Sequence, residues 1–238
     1  MEYDYLWEDG PQMLKGPGFR LSTDSVLLGN FVNLNGISNG IDLGCASGII
    51  SLLLLSLSDK IRMTGIEIDE KEAELAGLNM EKNALQERSE IICADLREHR
   101  KLFRAGSFDL IVSNPPYFPM TSGSLSPNEN RARARGEVSC TLEDLCEAAR
   151  YLCRWGGRFA LVHKPERLSE LMCCMSKYGL EMKRLRLVCH KADSAPSLIL
   201  AEGKRGAAPG LTIEPPLILT DAFGNDSEEI KRIYHRGA

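Results

Sequence analysis

The chain has 238 residues and a formal net charge of −4. This length suffices for one large domain with a full core and is short for two, so residues 1–238 are predicted to form a single domain. Hydrophobic residues make up 43% and charged residues 26% of the chain, which excludes a disordered or fibrous protein. The negative charge excludes a protein that coats nucleic acid over its whole surface, so any such site must be a local patch.

The eight cysteines do not follow a metal-binding spacing. They form no CxxC pair and no Cys/His pair at zinc spacing, and Cys153, Cys173, Cys174 and Cys189 lie in apolar runs. We therefore predict reduced thiols in the core and no metal site. The acidic start MEYDYLWEDG does not resemble a targeting peptide, and the longest apolar run, IISLLLLSLS, is too short to cross a bilayer. The expected location is the cytoplasm, without a membrane partner.

The N-terminal segment, residues 1–36, is predicted to be an extension made of a hairpin and a helix. Its first 20 residues mix aromatic side chains with glycine and proline, which indicates turns or a short hairpin. Ser22, Thr23 and Asp24 then supply N-cap chemistry for the apolar helix SVLLGNFVNL.

From residue 40 onward, predicted strands and helices alternate. The strands are GIDLG, RMTGIEID, SEIICAD, FDLIVS and RFALVH; the helices are IISLLLLSLS, EKEAELAGLNMEKNAL, LREHRKLF, TLEDLCEAARYLCRW and ERLSELMCCMSKYG. This order predicts an α/β fold with a doubly wound, mostly parallel sheet. Gly156 and Gly157 are expected to end the helix that Thr141 opens. The closing strands KRLRLVCHK and SLILAEGK have no helix between them, so the last of seven strands is predicted to be antiparallel.

The loop after the first strand of this sheet has the sequence DLGCASG, from Asp42 to Gly48. Ligands of doubly wound sheets bind beyond the carboxyl ends of the strands. Gly44 permits a sharp turn out of the strand, and Gly48 lets the following helix pack closely. Strand-to-helix packing by itself also explains such a turn. The three-glycine loop of NAD enzymes does not match this spacing.

Two acidic residues stand at the ends of the next two strands. Glu67 follows Asp42 by about 25 residues, where a carboxylate can accept hydrogen bonds from both hydroxyls of a ribose. Asp95 is placed to read the amino group of an adenine, to cap the helix LREHRKLF, or both. With the glycine-containing loop, these carboxylates predict a cofactor that contains a nucleoside.

The tetrapeptide Asn114, Pro115, Pro116 and Tyr117 directly follows the fourth strand. The prolines fix the backbone, so the Asn114 side-chain oxygen and the Pro115 carbonyl can accept hydrogen bonds from one amino group. Such acceptors draw an amino nitrogen, whose lone pair is delocalised into a ring, toward tetrahedral geometry. Tyr117 offers a face on which a splayed base can stack. A proline-rich turn is the alternative, and the position after the fourth strand favours the catalytic interpretation.

The motifs DLGCASG, GIEID and NPPY, in this order and spacing, resemble the class I methyltransferases that act on amino groups. With FRLSTDSVLLGNF, RARARGEVSCTLEDL and SAPSLILAEGKRG, the chain more narrowly resembles the bacterial tRNA adenine N6-methyltransferases that modify the adenosine 3′ of the anticodon in a valine tRNA. The resemblance implies a Rossmann-like fold and S-adenosylmethionine as cofactor. It also implies an adenine N6 of tRNA, or of another RNA, as methyl acceptor.

The resemblance assigns roles to individual residues. Those implied to bind S-adenosylmethionine, the first two near its methionine end, are Thr23, Asp24, Asp42, Gly44, Cys45, Gly48, Glu67, Ile68, Asp95, Leu96 and Asn114. Asn114 to Tyr117 would hold the base. Ala46 departs from the pattern, because the family has its middle glycine there; a methyl group is tolerable at this position if the backbone φ is negative.

Arg131, Arg133 and Arg135 form a basic stripe in the polar stretch after the tetrapeptide. Because the stripe adjoins the predicted base pocket of an acidic chain, it is predicted to contact RNA phosphates, although a solvated loop also explains it. Other basic residues are candidates to extend the stripe or to form a charged sheet edge: Lys183, Arg184, Arg186, Lys204 and Arg205.

Two other functions compete with this interpretation. A methyltransferase for protein glutamine side chains faces the same chemical problem, but such enzymes carry a helical substrate domain, and only about forty residues precede Asp42. A noncatalytic RNA-binding module on the same fold is disfavoured by the intact NPPY sequence and Glu67. Failure to bind S-adenosylmethionine would favour that module.

Overall fold

The computed structural model describes residues 3–8, 10–14, 23–116 and 140–235. The strands in these ranges are β1 (Tyr3–Tyr5), β2 (Gln12–Leu14), β3 (Asn39–Leu43), β4 (Arg62–Glu67), β5 (Ser89–Cys93), β6 (Phe108–Ser113), β7 (Cys153–His163), β8 (Leu180–Cys189), β9 (Pro196–Arg205) and β10 (Thr212–Ile218). The helices are α1 (Thr23–Phe31), α2 (Ile49–Leu57), α3 (Glu70–Lys82), α4 (His99–Leu102), α5 (Leu142–Leu152), α6 (Leu168–Lys177) and α7 (Glu228–Ile233). Short 3-10 turns, Leu96–Glu98 and Pro165–Arg167, precede α4 and α6.

Eight strands form one sheet in the spatial order β5-β4-β3-β6-β7-β9-β8-β10. Neighbouring strands pair in parallel, except that β9 runs antiparallel to both β7 and β8. The chain lays β4 and β5 on one side of β3 and then β6 and β7 on the other, so the switch point lies between β3 and β6. Ligands of doubly wound sheets bind at this point. The predicted α/β class and the antiparallel β9 are confirmed.

The sheet contains one strand more than the seven predicted. The sequence of β10 is TIEPPLI, and prolines count against a strand because they cannot donate to a ladder. β10 pairs only with β8, at the edge of the sheet, and its register shifts between Glu214 and Leu217, across both prolines. An edge strand tolerates this interruption because it needs hydrogen-bond donors on one side only.

Apolar side chains cover both faces of the sheet. In β6, Leu110 and Val112 join the core that contains α1 and α2, whereas Ile111 joins the core that contains α5 and α6. Successive side chains of a strand point to opposite faces, so a strand covered on both faces is apolar throughout. This explains the mostly apolar sequence FDLIVS, in which Asp109 and Ser113 are the polar residues.

Helix α5 begins as predicted but ends earlier. The Thr141 hydroxyl accepts a hydrogen bond from the N–H of Asp144 at 3.1 Å, and the Asp144 carboxylate accepts one from the N–H of Thr141 at 2.8 Å, which is a capping box. The prediction that Gly156 and Gly157 end the helix is wrong, because both lie inside β7. The register between β6 and β7 shifts near the start of β7, and glycines within strands commonly mark such bulges.

The predicted N-terminal hairpin is present and is docked on α3. β1 and β2 pair antiparallel, from Tyr3 opposite Leu14 to Tyr5 opposite Gln12. The N–H of Gln12 donates to the side-chain oxygen of Asn83 at 2.8 Å, and the Asn83 amide donates to the Gln12 carbonyl at 2.7 Å. Side chains of α3 thus satisfy backbone groups of the hairpin.

All eight cysteines lie in the described ranges, and each is a free thiol. Cys153, Cys174 and Cys189 are buried as predicted, whereas Cys173 is exposed because α6 turns it away from the core. Within the described residues, no helix has the length and apolarity needed to span a bilayer. The same ranges contain no group of three or more His, Cys, Asp or Glu side chains that could hold a metal ion.

Candidate functional site

The carboxyl ends of β3, β4 and β6 are joined by hydrogen bonds at one edge of the sheet. The N–H groups of Gly44 and Cys45 both donate to the carbonyl of Ile66 at 2.9 Å. The Ser113 hydroxyl donates to the carbonyl of Leu43 at 2.7 Å. These bonds hold the glycine loop, residues 44–48, beside the ends of β4 and β6.

Gly44 and Gly48 both have positive φ, but their surroundings differ. A Cβ atom on Gly48 would lie 3.0 Å from the Met80 Cε and 3.2 Å from the Ala76 Cβ, so this glycine lets the loop pack against α3. A Cβ atom on Gly44 would meet no atom of the described residues within 4 Å. The space beside the Gly44 backbone is therefore open to a ligand.

Ala46 does not have the negative φ at which a methyl group would be tolerable in this loop. Its φ is +45°, in the left-handed region, which costs a residue with a Cβ about 1–2 kcal/mol. Its N–H donates to the Oε2 of Glu67 at 2.8 Å. This hydrogen bond helps hold the loop in a conformation that alanine disfavours.

Glu67 is bound by three backbone N–H groups. Besides the bond from Ala46, its Oε1 accepts from Ile68 at 2.8 Å and from Asp69 at 2.9 Å. A carboxylate offers about four lone-pair positions, so about one remains for a ribose hydroxyl. A second hydroxyl has to replace one of the backbone donors. The Ile68 side chain beside it is 64% exposed and offers an apolar surface to a nucleoside.

Asp42 lies beneath the glycine loop and is completely buried. Its Oδ2 accepts a hydrogen bond from the Ser51 hydroxyl at 3.2 Å, and its buried Oδ1 has no partner. Burial raises the pKa of this carboxyl to about 7; the hydrogen bonds from Ser51 oppose the shift, and the nearby charge of Glu67 adds to it. Asp42 thus ties the end of β3 to α2.

Cys45 is also buried within the loop. Its thiol occupies space next to β4, since a Cβ atom on Gly65 would lie 2.7 Å from the Cys45 sulfur. Burial raises the pKa of this thiol. Its N–H donates to the carbonyl of Ile66 and its carbonyl accepts from the N–H of Gly48, so the residue shapes the loop.

Asp95 follows β5 and caps the 3-10 turn that contains the half-buried Leu96. Its Oδ1 accepts from the N–H of Arg97 at 2.9 Å, which confirms the capping role. The Arg97 Nε also lies 2.9 Å from both carboxylate oxygens, and its Nη2 bonds to Oδ2. These hydrogen bonds lower the pKa of Asp95. An adenine amino group therefore competes with Arg97 for this carboxylate.

Asn114 extends from the end of β6 toward the first turn of α1. Its side-chain nitrogen donates to the hydroxyl oxygen of Ser25 at 3.0 Å. Ser25 is 7% exposed and directly follows Thr23 and Asp24, so the start of α1 lies at the same edge of the sheet as Asn114. Pro115 is buried.

Two polar residues of this region were missed by the sequence analysis. Ser25 was considered part of an apolar helix, although its place after the capping residues was a signal that it lies near the site. Asn79, fully buried in α3, donates to the carbonyl of Ser47 in the glycine loop at 2.9 Å. An asparagine in a helical sequence carries no local sign that it is buried.

Part of the predicted substrate site lies outside the described residues, namely Tyr117 and the basic stripe of Arg131, Arg133 and Arg135. For Arg184 and Arg186, the contacts fit the alternative of a charged sheet edge. The Arg184 Nε bonds to Glu214 at 2.7 Å, and Arg186 forms a bidentate pair with Glu229 at 2.7 and 2.8 Å. These pairs tie β8 to β10 and to α7.

Lys204 and Arg205 lie far from Asn114 along the strands of the sheet. They end β9, which runs antiparallel to β7, and Lys204 pairs with Arg158 near the start of β7. They therefore lie at the end of the strands opposite to Asn114.

Comparisons with known proteins agree with this architecture. The family model described as "Methyltransferase small domain" matches residues 22–126. The fold is similar to the crystal structure of a predicted O-methyltransferase from Agrobacterium tumefaciens, with a TM-score of 0.73, 18% identity, and coverage of 91% of this chain and 98% of that one. The fold and the glycine loop thus define a class I methyltransferase.

Relatives narrow the class. A tRNA1(Val) (adenine(37)-N6)-methyltransferase of Shewanella halifaxensis is 33% identical over 82% of this chain and 73% of its own length. The Porphyromonas gingivalis enzyme of the same name is 33% identical over 92% of this chain and 88% of its own. The chain belongs to the tRNA1(Val) (adenine(37)-N6)-methyltransferase family.

Proposed function

We propose that this protein transfers a methyl group from S-adenosylmethionine to the exocyclic N6 of adenosine 37, next to the anticodon, in a valine tRNA. The names of its relatives support this substrate. The observation that carries the proposal is the position of Asn114, at the end of β6 and bonded to the start of α1, beside the glycine loop. An asparagine there faces the space into which a target base and a cofactor can enter together.

The residues at the carboxyl edge fit S-adenosylmethionine. The open space beside Gly44 admits a ligand to the backbone, Glu67 retains an acceptor position for the ribose, and exposed Ile68 can cover an apolar face. Asp95 and Leu96 would border the adenine, and Thr23 and Asp24 the methionine end. When bound, the cofactor supplies a methyl group on a positively charged sulfur.

Asn114 and Pro115 supply the acceptors that activate the base. The Asn114 oxygen and the Pro115 carbonyl would accept hydrogen bonds from the two N–H groups of the amino nitrogen and so favour tetrahedral geometry there. No strong general base is needed, because the nitrogen loses its proton readily once it carries the methyl group. Tyr117 would stack on the splayed adenine, and the basic stripe would contact phosphates.

The same proposal includes the organisation and location of the protein. One sheet collects strands from residue 39 to residue 218, which supports a single methyltransferase domain. Eight free thiols are in keeping with a reducing compartment, so we place the protein in the cytoplasm.

The function is tested by incubating a valine tRNA transcript with the protein and isotopically labelled S-adenosylmethionine. The RNA is then digested and its nucleosides are identified by mass spectrometry. We expect labelled N6-methyladenosine from the transcript and none from a matched transcript with guanosine at position 37. Label in another nucleoside, or equal label in both transcripts, would contradict the proposal.

A further inference from the structure

The hydrogen bond between Asn114 and Ser25 joins residues 89 positions apart in the chain. Ser25 lies in a helix whose following residues, Val26, Leu27 and Leu28, are all buried. A Cβ atom on Gly29 of the same helix would lie only 3.1 Å from the Leu53 Cδ1, so α1 packs tightly on α2. The Ser25 hydroxyl is therefore presented by a rigid element.

The orientation of the Asn114 amide decides whether it can serve the proposed reaction. The oxygen and nitrogen of a side-chain amide are opposite branches of one plane, and only the oxygen accepts a hydrogen bond. Because the nitrogen donates to Ser25 at 3.0 Å, the oxygen is directed away from α1. A rotated amide would present a donor to the substrate amino group, which is itself a donor.

We propose that Ser25 is a positioning residue that holds the Asn114 amide with its oxygen toward the substrate amino group. This inference rests on the proposed function, since it assigns a second residue to the same reaction. Ser25 touches neither the base nor the cofactor in this role, and it acts only through Asn114. Its removal should therefore slow methyl transfer without weakening cofactor binding.

The test is a double-mutant cycle with Ser25→Ala, Asn114→Ala and the combined variant, measured by single-turnover methylation of the tRNA transcript. We expect Asn114→Ala to slow the reaction by about two to three orders of magnitude, the scale for one preorganised hydrogen-bonding group. Ser25→Ala should slow it about 10- to 100-fold through misplacement of the amide. In the Asn114→Ala background, Ser25→Ala should change the rate less than about twofold, because its effect passes through the missing amide.

Three controls separate positioning from a general structural defect. Ser25→Thr keeps the hydroxyl and should retain most of the rate. Asn30→Ala, in the same helix, removes an amide that bonds only to the Val26 carbonyl and should leave the rate unchanged. Affinity for S-adenosylmethionine, measured by calorimetry, should be unchanged in Ser25→Ala. If Ser25→Ala does not fold, Ser25→Cys replaces it, because sulfur is a weak acceptor.

The outcomes distinguish this inference from the proposed function. A normal rate in folded Ser25→Ala, with a slow Asn114→Ala, would overturn the role of Ser25 alone. The role of Ser25 would also be overturned if Ser25→Ala slowed methyl transfer by the same factor in the parent protein and in Asn114→Ala. Ser25 would then act independently of Asn114. A parent protein that methylates no adenosine 37 would instead refute the proposed function.

Discussion

Ala46 shows how one residue can depart from a motif without destroying the loop. At φ +45° it occupies a backbone conformation suited to glycine, and its N–H is held by Glu67 at 2.8 Å. The Cβ atom of Ala46 makes this backbone conformation unfavourable, whereas the hydrogen bond to Glu67 stabilises it. In the proposed complex, the affinity for the cofactor would therefore depend on Glu67 in two ways, through its contact with the ribose and through its hydrogen bond to the loop.

Ala46→Gly is expected to stabilise the fold by about 1 kcal/mol, since removal of the Cβ relieves left-handed strain. The melting temperature should rise by about 2–4 °C, which scanning calorimetry can measure. Ala84→Gly is the matched control, because Ala84 is exposed, distant from the loop in sequence, and has φ +54°. A lower melting temperature for Ala46→Gly, with a higher one for Ala84→Gly, would show that the Ala46 methyl makes a stabilising contact.

Glu67→Ala is expected to weaken S-adenosylmethionine binding by about 1.5–3 kcal/mol, the scale for losing charge-assisted hydrogen bonds. The loss has two sources, the ribose contact and the three backbone N–H groups that the carboxylate now holds. Cofactor titration by calorimetry measures it. Glu74→Ala, which removes an exposed carboxylate from α3, should leave the affinity unchanged. Unaltered affinity in folded Glu67→Ala would remove Glu67 from the site.

At the scale of elements, α3 links the N-terminal hairpin to the glycine loop. The buried Asn79 accepts from the N–H of Leu14 at 2.8 Å and donates to the carbonyl of Ser47 at 2.9 Å. One side chain thus satisfies a backbone group in β2 and another in the glycine loop. The hairpin therefore helps to support the glycine loop, although its two strands form a sheet of their own.

Asn79→Leu is expected to destabilise the protein by about 2–4 kcal/mol, because it leaves two buried backbone groups without partners. Urea denaturation measures the loss. Asn83→Ala is the control, since Asn83 is only half-buried and water can replace its bonds to Gln12; we expect a loss below about 1 kcal/mol. Equal losses in the free energy of unfolding for the two variants would mean that Asn79 is not the main link between the hairpin, α3 and the glycine loop.

At the scale of the whole molecule, the acidic chain places its charges unevenly. Arg184 and Arg186 are neutralised by Glu214 and Glu229, so these basic residues hold the β10 edge together. Asp42 is buried beneath the cofactor loop with a pKa raised to about 7. Two properties of the complete protein follow from this distribution: the pH dependence of its stability, and the salt dependence of its RNA binding.

Asp42 should contribute a fall in the free energy of unfolding as pH rises from about 4 to about 7, whereas buried His163, whose pKa is lowered, contributes the opposite slope in the upper part of this range. In this window folded Asp42, with its raised pKa, binds more protons than unfolded Asp42, whose pKa is 3.8, so raising the pH favours unfolding. The contribution reaches about 4 kcal/mol. Asp95 and Asp221, whose pKa values are lowered, contribute the opposite slope at lower pH. Urea denaturation of the parent and of Asp42→Asn across this pH range measures the contribution of Asp42 to the free energy of unfolding. Parallel pH profiles of the two proteins would contradict the predicted contribution.

Replacing Arg131, Arg133 and Arg135 together by alanine should weaken tRNA binding and flatten its salt dependence by up to about three phosphate contacts. Cofactor affinity should not change. Binding is measured by fluorescence anisotropy over a range of salt concentrations. Lys204→Ala is the control, because Lys204 lies at the end of the strands opposite to Asn114. An identical slope in parent and triple variant would show that the stripe is ordinary solvated surface.

The sequence by itself determined the order of strands and helices and the places of the motifs. Apolar periodicity and capping residues act locally, and the parallel topology they imply brings the ends of β3, β4 and β6 to one edge. The DLGCASG, GIEID and NPPY segments therefore had to meet. The extra strand β10 and the early end of α5 escaped prediction, because edge pairing and a bulge at Gly156 and Gly157 outweigh the usual preferences of proline and glycine.

Only the tertiary structure decided the environment of each side chain at that edge. The bond between Ser25 and Asn114, the burial of Asp42, the bridge made by Asn79 and the pairing of Arg184 with Glu214 all join elements that are distant in sequence. Burial and hydrogen-bond partners depend on what packs nearby in space, and local sequence carries little of that information. The same packing sets the pKa of Asp42 and brings the Asn114 side chain against Ser25.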